Sequence, residues 1–161
     1  MLNRYINFRG LTNINAKRKW VEGLPFRSEI NANEVITCLQ DEKGMEYEVD
    51  PETIGQNTCI KDINDKKIYV GDIVEYICEC GHKCLGVIKF GEYEQSDGEC
   101  LGEKCIGFYI DRVKITPGEW EVNEDLTNSY NYTKNVSLLY FDISNIEIIG
   151  DIYNNPELLK D

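Results

Sequence analysis

The chain reads as an all-β protein of two small β-rich subdomains, the C-terminal one an SH3-like barrel, with only short helical turns. Two observations predict this. Early in the chain, short segments rich in aromatic and β-branched residues alternate with clusters of Asn, Gly and Asp. From Lys67 onward the apolar segments lengthen and number five, enough strands for a small barrel. The boundary falls near 61–66, giving subdomains over 1–64 and 65–161.

Taken in order, the first strands are expected over 5–10, 19–24, 34–39 and 45–49. Thr12-Asn13-Ile14-Asn15-Ala16 reads as a hairpin loop between the first two. Asp50-Pro51-Glu52-Thr53 has the chemistry of a helix start, with an Asp cap, Pro where its missing N–H costs nothing, and an acid in the first turn. Gly55 ends it after a single turn. Asp62-Ile63-Asn64-Asp65-Lys66 turns the chain into a strand over 68–77, where Gly71-Asp72 permits a sharp bend of the kind found in SH3-like barrels. Strands over 85–90, 105–115, 136–141 and 145–149 follow. The longest loop spans 116–134, and loops of that length in compact domains are commonly used for binding. Asn155-Pro156-Glu157-Leu158-Leu159 reads as a short capped helix whose leucines dock on the barrel.

Four runs, in order, resemble the YopX family of small bacteriophage and prophage proteins of Gram-positive bacteria. The central one is Val49-Asp50-Pro51-Glu52-Thr53-Ile54-Gly55-Gln56, continuing through Lys67-Ile68-Tyr69-Val70-Gly71-Asp72-Ile73-Val74. Phe8-Arg9-Gly10 followed by Lys19-Trp20-Val21-Glu22-Gly23 is similar to the family's opening, and Gly107-Phe108-Tyr109-Ile110 to one of its strands. The tail Ile146-Glu147-Ile148-Ile149-Gly150-Asp151-Ile152-Tyr153-Asn154-Asn155-Pro156 is close to its ending. Cys59 and Asp65 depart from the pattern, standing where small or turn-forming residues are more usual, and the cysteines around 78–84 lie outside it. The resemblance implies a phage or prophage setting and no particular chemistry.

Composition narrows the function classes. A net charge of −12 opposes direct, sequence-independent nucleic-acid binding, which requires a cationic surface to release counterions. No stretch approaches the roughly 18–20 apolar residues that span a bilayer, so no membrane contact is expected. Met1-Leu2-Asn3-Arg4 begins no apolar signal sequence, and the expected location is the cytoplasm of the bacterial host. Seven cysteines in that compartment are expected as thiols or metal ligands. The charge is uneven: residues 1–27 carry six basic side chains against Glu22 alone, whereas 28–161 carry 11 basic and 28 acidic ones. Opposite charge on two parts of one chain favours contact within the molecule or between copies, so a homo-oligomer is expected. Lys17, Arg18 and Lys19 form the basic cluster.

The densest reactive cluster is Cys78-Glu79-Cys80-Gly81-His82-Lys83-Cys84, with Cys100 and Cys105 beyond it. A turn at Gly81-His82 brings Cys80 toward Cys84, and the loop 100–105 could supply a second pair, so Cys80, Cys84, Cys100 and Cys105 are the candidate zinc ligands. The competing reading is reduced cysteines at two neighbouring turns, with no metal, no other cofactor and an exposed His82. No catalytic constellation is discernible: nothing marks a third group orienting His82 against a thiol, and no nucleotide, metalloprotease or nucleophile-elbow motif occurs. Trp20, on an alternating strand, is expected in the core. Trp120, between Glu119 and Glu121 in the long loop, is a candidate for protein contact. The function expected is a non-enzymatic, self-associating interaction module that binds a host or phage protein. The rivals are a zinc-stabilised regulatory protein and an enzyme of unrecognised type.

Overall fold

A computed structural model of the chain describes residues 7–12, 18–31, 34–78, 81–95, 103–116, 135–138 and 145–160. The strands are β1 (Phe8–Thr12), β2 (Lys19–Asn31), β3 (Glu34–Gln40), β4 (Glu46–Glu48), β5 (Gly55–Lys61), β6 (Lys67–Tyr69), β7 (Asp72–Ile77), β8 (Lys83–Gln95), β9 (Glu103–Thr116), β10 (Asn135–Ser137) and β11 (Glu147–Asp151). Two short 3-10 helices, Pro51–Thr53 and Pro156–Leu159, complete the described elements. The chain divides into two compact units, Met1–Ile60 and Lys61–Asp161.

In the first unit the strands run in the order β4-β3-β2-β1-β5 and pair antiparallel where they meet. β2 is much longer than the alternation at 19–24 suggested, because it changes partners. Lys19–Gly23 pairs with β1, and Leu24–Asn31 pairs with β3. The single turn expected at Asp50-Pro51-Glu52-Thr53 is present: the Asp50 carboxylate accepts the Glu52 N–H at 3.1 Å. The buried Thr53 hydroxyl donates to the Asp50 carbonyl at 2.7 Å and accepts the Leu11 N–H at 2.8 Å. Asp50 N–H in turn donates to the Leu11 carbonyl at 3.0 Å. The turn therefore serves as a backbone clamp on β1, whose Leu11 is buried.

In the second unit the sheet order is β10-β9-β8-β7-β11, again antiparallel. The expectation of an SH3-like barrel is overturned. The sheet is open, ending at β10 on one side and β11 on the other, and no described pair joins these edges. Five strands sufficed for a barrel by number, but closure needs matched strand lengths and a first-to-last pairing. Here β8 and β9 run from Lys83↔Thr116 to Gln95↔Glu103, whereas β10 contributes only Asn135–Ser137. The expected strand over 68–77 breaks at Val70-Gly71 into β6 and β7. The C-terminal 3-10 helix lacks the expected side-chain cap, and Leu158 is exposed instead of docked. Among the described residues, the two departures from the family pattern, Cys59 and Asp65, are the non-glycine residues held at positive φ, 64° and 63°.

Ile73, Val74, Ile88, Ile110 and Ile146 form the centre of this unit's core. The β8–β9 ladder shifts register between Leu85 and Gly86. A Cβ at Gly86 would lie 2.3 Å from Ile110 Cγ2 and 2.9 Å from the Asp111 carbonyl oxygen. Gly86→Ala should therefore cost about 1–3 kcal/mol through overpacking. Gly107→Ala is the matched control, since a Cβ there meets nothing within 4 Å. Urea midpoints should fall for the first variant and stay level or rise for the second.

Asp50→Ala removes the cap of the Pro51–Thr53 turn and should lower stability by about 0.5–2 kcal/mol. An unchanged thermal midpoint, with unchanged cooperativity, would show that the carboxylate does not hold the turn.

Candidate functional site

The turn joining β7 to β8 gathers the chemistry that the sequence singled out. Gly81 adopts φ +79°, its N–H donates to the Cys78 carbonyl at 2.8 Å, and the Cys78 N–H donates to the His82 carbonyl at 3.0 Å. Antiparallel partners share a face, so Tyr76 and Cys84, which are directly paired, lie together there. The Leu85/Gly86 irregularity places Arg112 opposite Gly86, and Arg112 Nε donates to the Tyr76 hydroxyl at 3.0 Å. The Cys84 thiol donates to the His82 carbonyl at 3.7 Å. His82 is buried, contrary to the expectation of an exposed turn histidine.

This arrangement is a buried polar network. Burial pushes the Tyr76 phenol up to about 12, against the Arg112 hydrogen bond and charge, which pull it down. The phenol is thus neutral at ordinary pH, and it accepts from a guanidinium that remains cationic. Cys84 is 1% exposed, and a thiol so enclosed is shielded from reagents. The network ties three neighbouring strands together at one end of the sheet.

The predicted zinc ligands do not converge. Cys80 and Cys100 lie outside the described residues. Cys84 pairs with Ile115, whereas Cys105 pairs with Tyr93, nine positions further along β8. At about 3.3 Å per residue this separates Cys84 from Cys105 by about 30 Å, far beyond a shared ion. The two turns were read as neighbours, but the length of β8 and β9 sets them at opposite ends of the ribbon. Among the described residues no group of three or more His, Cys, Asp or Glu side chains could hold a metal ion. Cys38, Cys59, Cys78, Cys84 and Cys105 are all thiols.

Of the expected contact residues, Lys17 and Trp120 lie outside the described residues. Lys19 is exposed on β2. Arg18 lies 3.8 Å from the Asp50 carboxylate, so part of the basic cluster is balanced within its own unit. Trp20 is half-buried with the Arg9 guanidinium 4.1 Å over its ring, a cation–π contact and not a core position.

Among the described residues of the second unit, Ile106 is the most exposed large apolar side chain at 81%, followed by Phe90 and Ile77 at 53% each. Phe90 is paired directly with Phe108, ring centroids 4.9 Å apart, and Ile106 is paired with Glu92. Alternation across Lys104, Ile106 and Phe108 was visible in the sequence, but it marks a strand face without saying whether that face is covered.

The runs that resemble a known family come together within each unit. Asp72 of the central run pairs with Asp151 of the tail across β7 and β11. Each carboxylate is spent on backbone: Asp72 accepts the Tyr69 N–H at 2.7 Å, and Asp151 accepts those of Tyr153 and Asn154 at 3.0 and 2.8 Å. Asp62, also buried, accepts from Asn64, Lys66 and Ile148. The described structure is thus that of a two-unit, antiparallel β protein in which buried carboxylates hold turns. The chain matches the family model described as YopX protein over residues 7–160, and it belongs to that family of phage and prophage proteins of unknown function. No curated protein matches the chain. Among the described residues no helix is long and apolar enough to cross a membrane.

The Tyr76 assignment carries a pH prediction. A phenol whose folded pKa is about 12 stays protonated after the unfolded phenol, near 10, has ionised. The folded state then binds more protons, so its stability is intact below about pH 10 and falls as pH rises toward 12. In an ultraviolet titration a late phenol step near pH 12 should be seen, and Tyr76→Phe should remove it. Survival of the late step in the variant would reassign it.

Proposed function

We propose that this member of the YopX family is a non-enzymatic, self-associating protein-interaction module that acts in the cytoplasm of the bacterial host. The observation that carries the reading is the exposure of Ile106 and Phe90 on the β8–β9 ribbon. Exposed apolar side chains grouped on one surface mark contact sites on proteins, whereas single scattered ones do not. The polar side chains brought together elsewhere support the same reading. Tyr76 and Arg112 bond each other, and Asp62, Asp72 and Asp151 accept backbone N–H groups, so these are structural commitments. The net charge of −12 favours a protein partner over nucleic acid.

Sedimentation velocity of the purified chain over a concentration series into the tens of micromolar tests the reading. The weight-average sedimentation coefficient should rise with concentration toward that of a defined oligomer. A monomer at every concentration would contradict it.

A further inference from the structure

We propose that the surface through which the chain self-associates is the distal face of the β8–β9 ribbon, packed against the same face of a second copy about a two-fold axis. This rests on the reading above and names its contact.

The ribbon extends beyond its sheet. β7 accompanies β8 only as far as Val87, and β10 accompanies β9 only over Tyr109–Asp111. Past these pairs, apart from the Gly71 N–H that donates to the Ile88 carbonyl, the described ladder is β8 with β9; its other face buries Tyr93, stacked on Tyr109. Along that ribbon Ile88↔Ile110, Phe90↔Phe108 and Glu92↔Ile106 are successive cross-strand pairs two residues apart, so they share one face. At its base Ile88 and Ile110 are fully buried. The same apolar stripe then runs outward into Phe90 and Ile106, where it is uncovered. The face that builds the core does not end where the core ends.

A second copy is the occupant that the charges fit. The apolar centre is bordered by Glu92 and Lys104, whose side chains lie 3.2 Å apart on opposite strands and are both well exposed. A two-fold axis near Ile106 sets Glu92 of one copy against Lys104 of the other, and the reverse, so the patch is complementary to itself. A basic or acidic partner would be met by a border of one sign. Ile106, at the centre, then buries its side chain against its own equivalent, and Phe90 and Phe108 flank it.

The test uses the full chain and sedimentation velocity, with thermal midpoints to confirm folding. Ile106→Lys should raise the dimer dissociation constant at least tenfold while leaving the midpoint unchanged, because the side chain is exposed in the monomer. Glu92→Lys and Lys104→Glu should each weaken the dimer, and the two together should restore it, since the swap re-creates both intermolecular pairs. A dimer that survives Ile106→Lys but dissociates when Lys17, Arg18 and Lys19 are replaced by Ala would overturn the ribbon contact and leave self-association through the basic cluster standing. A wild-type chain that never dimerises would overturn both. Single charge reversals that weaken the dimer with no restoration in the double variant would reject the two-fold arrangement.

Discussion

The second unit is organised by the length and register of one pairing, β8 with β9. Its register is shifted once, at Leu85/Gly86, where Ile110 and the Asp111 carbonyl occupy the space a Cβ would need. That shift places Arg112 against Tyr76 at one end. Beyond it the ladder runs without further irregularity to Gln95↔Glu103, past the strand pairing of β7 and β10. The buried polar network and the bare ribbon are therefore two consequences of the same ladder. One end is locked into the sheet by a guanidinium and a phenol, and the other leaves Phe90 and Ile106 exposed.

The residues that identify the family do architectural work of a consistent kind. Thr53 bridges the Asp50 carbonyl and the Leu11 N–H, while Asp62, Asp72 and Asp151 each accept N–H groups at turns. A buried carboxylate replaced by an apolar residue would leave those donors unsatisfied, at about 1–3 kcal/mol apiece. These carboxylates are held by backbone donors at turns. The family-like motifs specify where the chain turns. The ribbon face, with the exposed Ile106 and Phe90, lies beside such a motif at Gly107-Phe108-Tyr109-Ile110.

Local chemistry was the most legible part of the sequence. Asp50-Pro51-Glu52-Thr53 carries its cap, its proline and its acid within four residues, and the turn forms as read. The Gly81-His82 turn was equally visible. β5 was not, because Gly55-Gln56-Asn57-Thr58-Cys59 has little apolar content and earns its place by pairing with β1. The second half of β2 was hidden for the same reason, since it is mostly exposed and is extended by β3. Strand number suggested a barrel, but closure depends on which edges meet, and periodicity carries no information on that. The zinc set failed by distance: two cysteine-bearing turns read as adjacent are separated by the whole ribbon. Ile106 was legible as a strand residue and illegible as a surface, because exposure is decided by whether another strand arrives.

In the proposed dimer an apolar face, and not the charge asymmetry of the chain, holds two copies together. The two forces respond oppositely to salt. Each copy carries −12, so apolar association proceeds against mutual repulsion, and shortening the Debye length from about 10 Å at 0.1 M to about 3 Å at 1 M relieves it. Contact between the basic N-terminal cluster and acidic surface would lose its attraction over the same range. The dimer dissociation constant measured by sedimentation equilibrium across that salt range is the most direct test. Tighter association at high salt is the result predicted here; weaker association at high salt would contradict it.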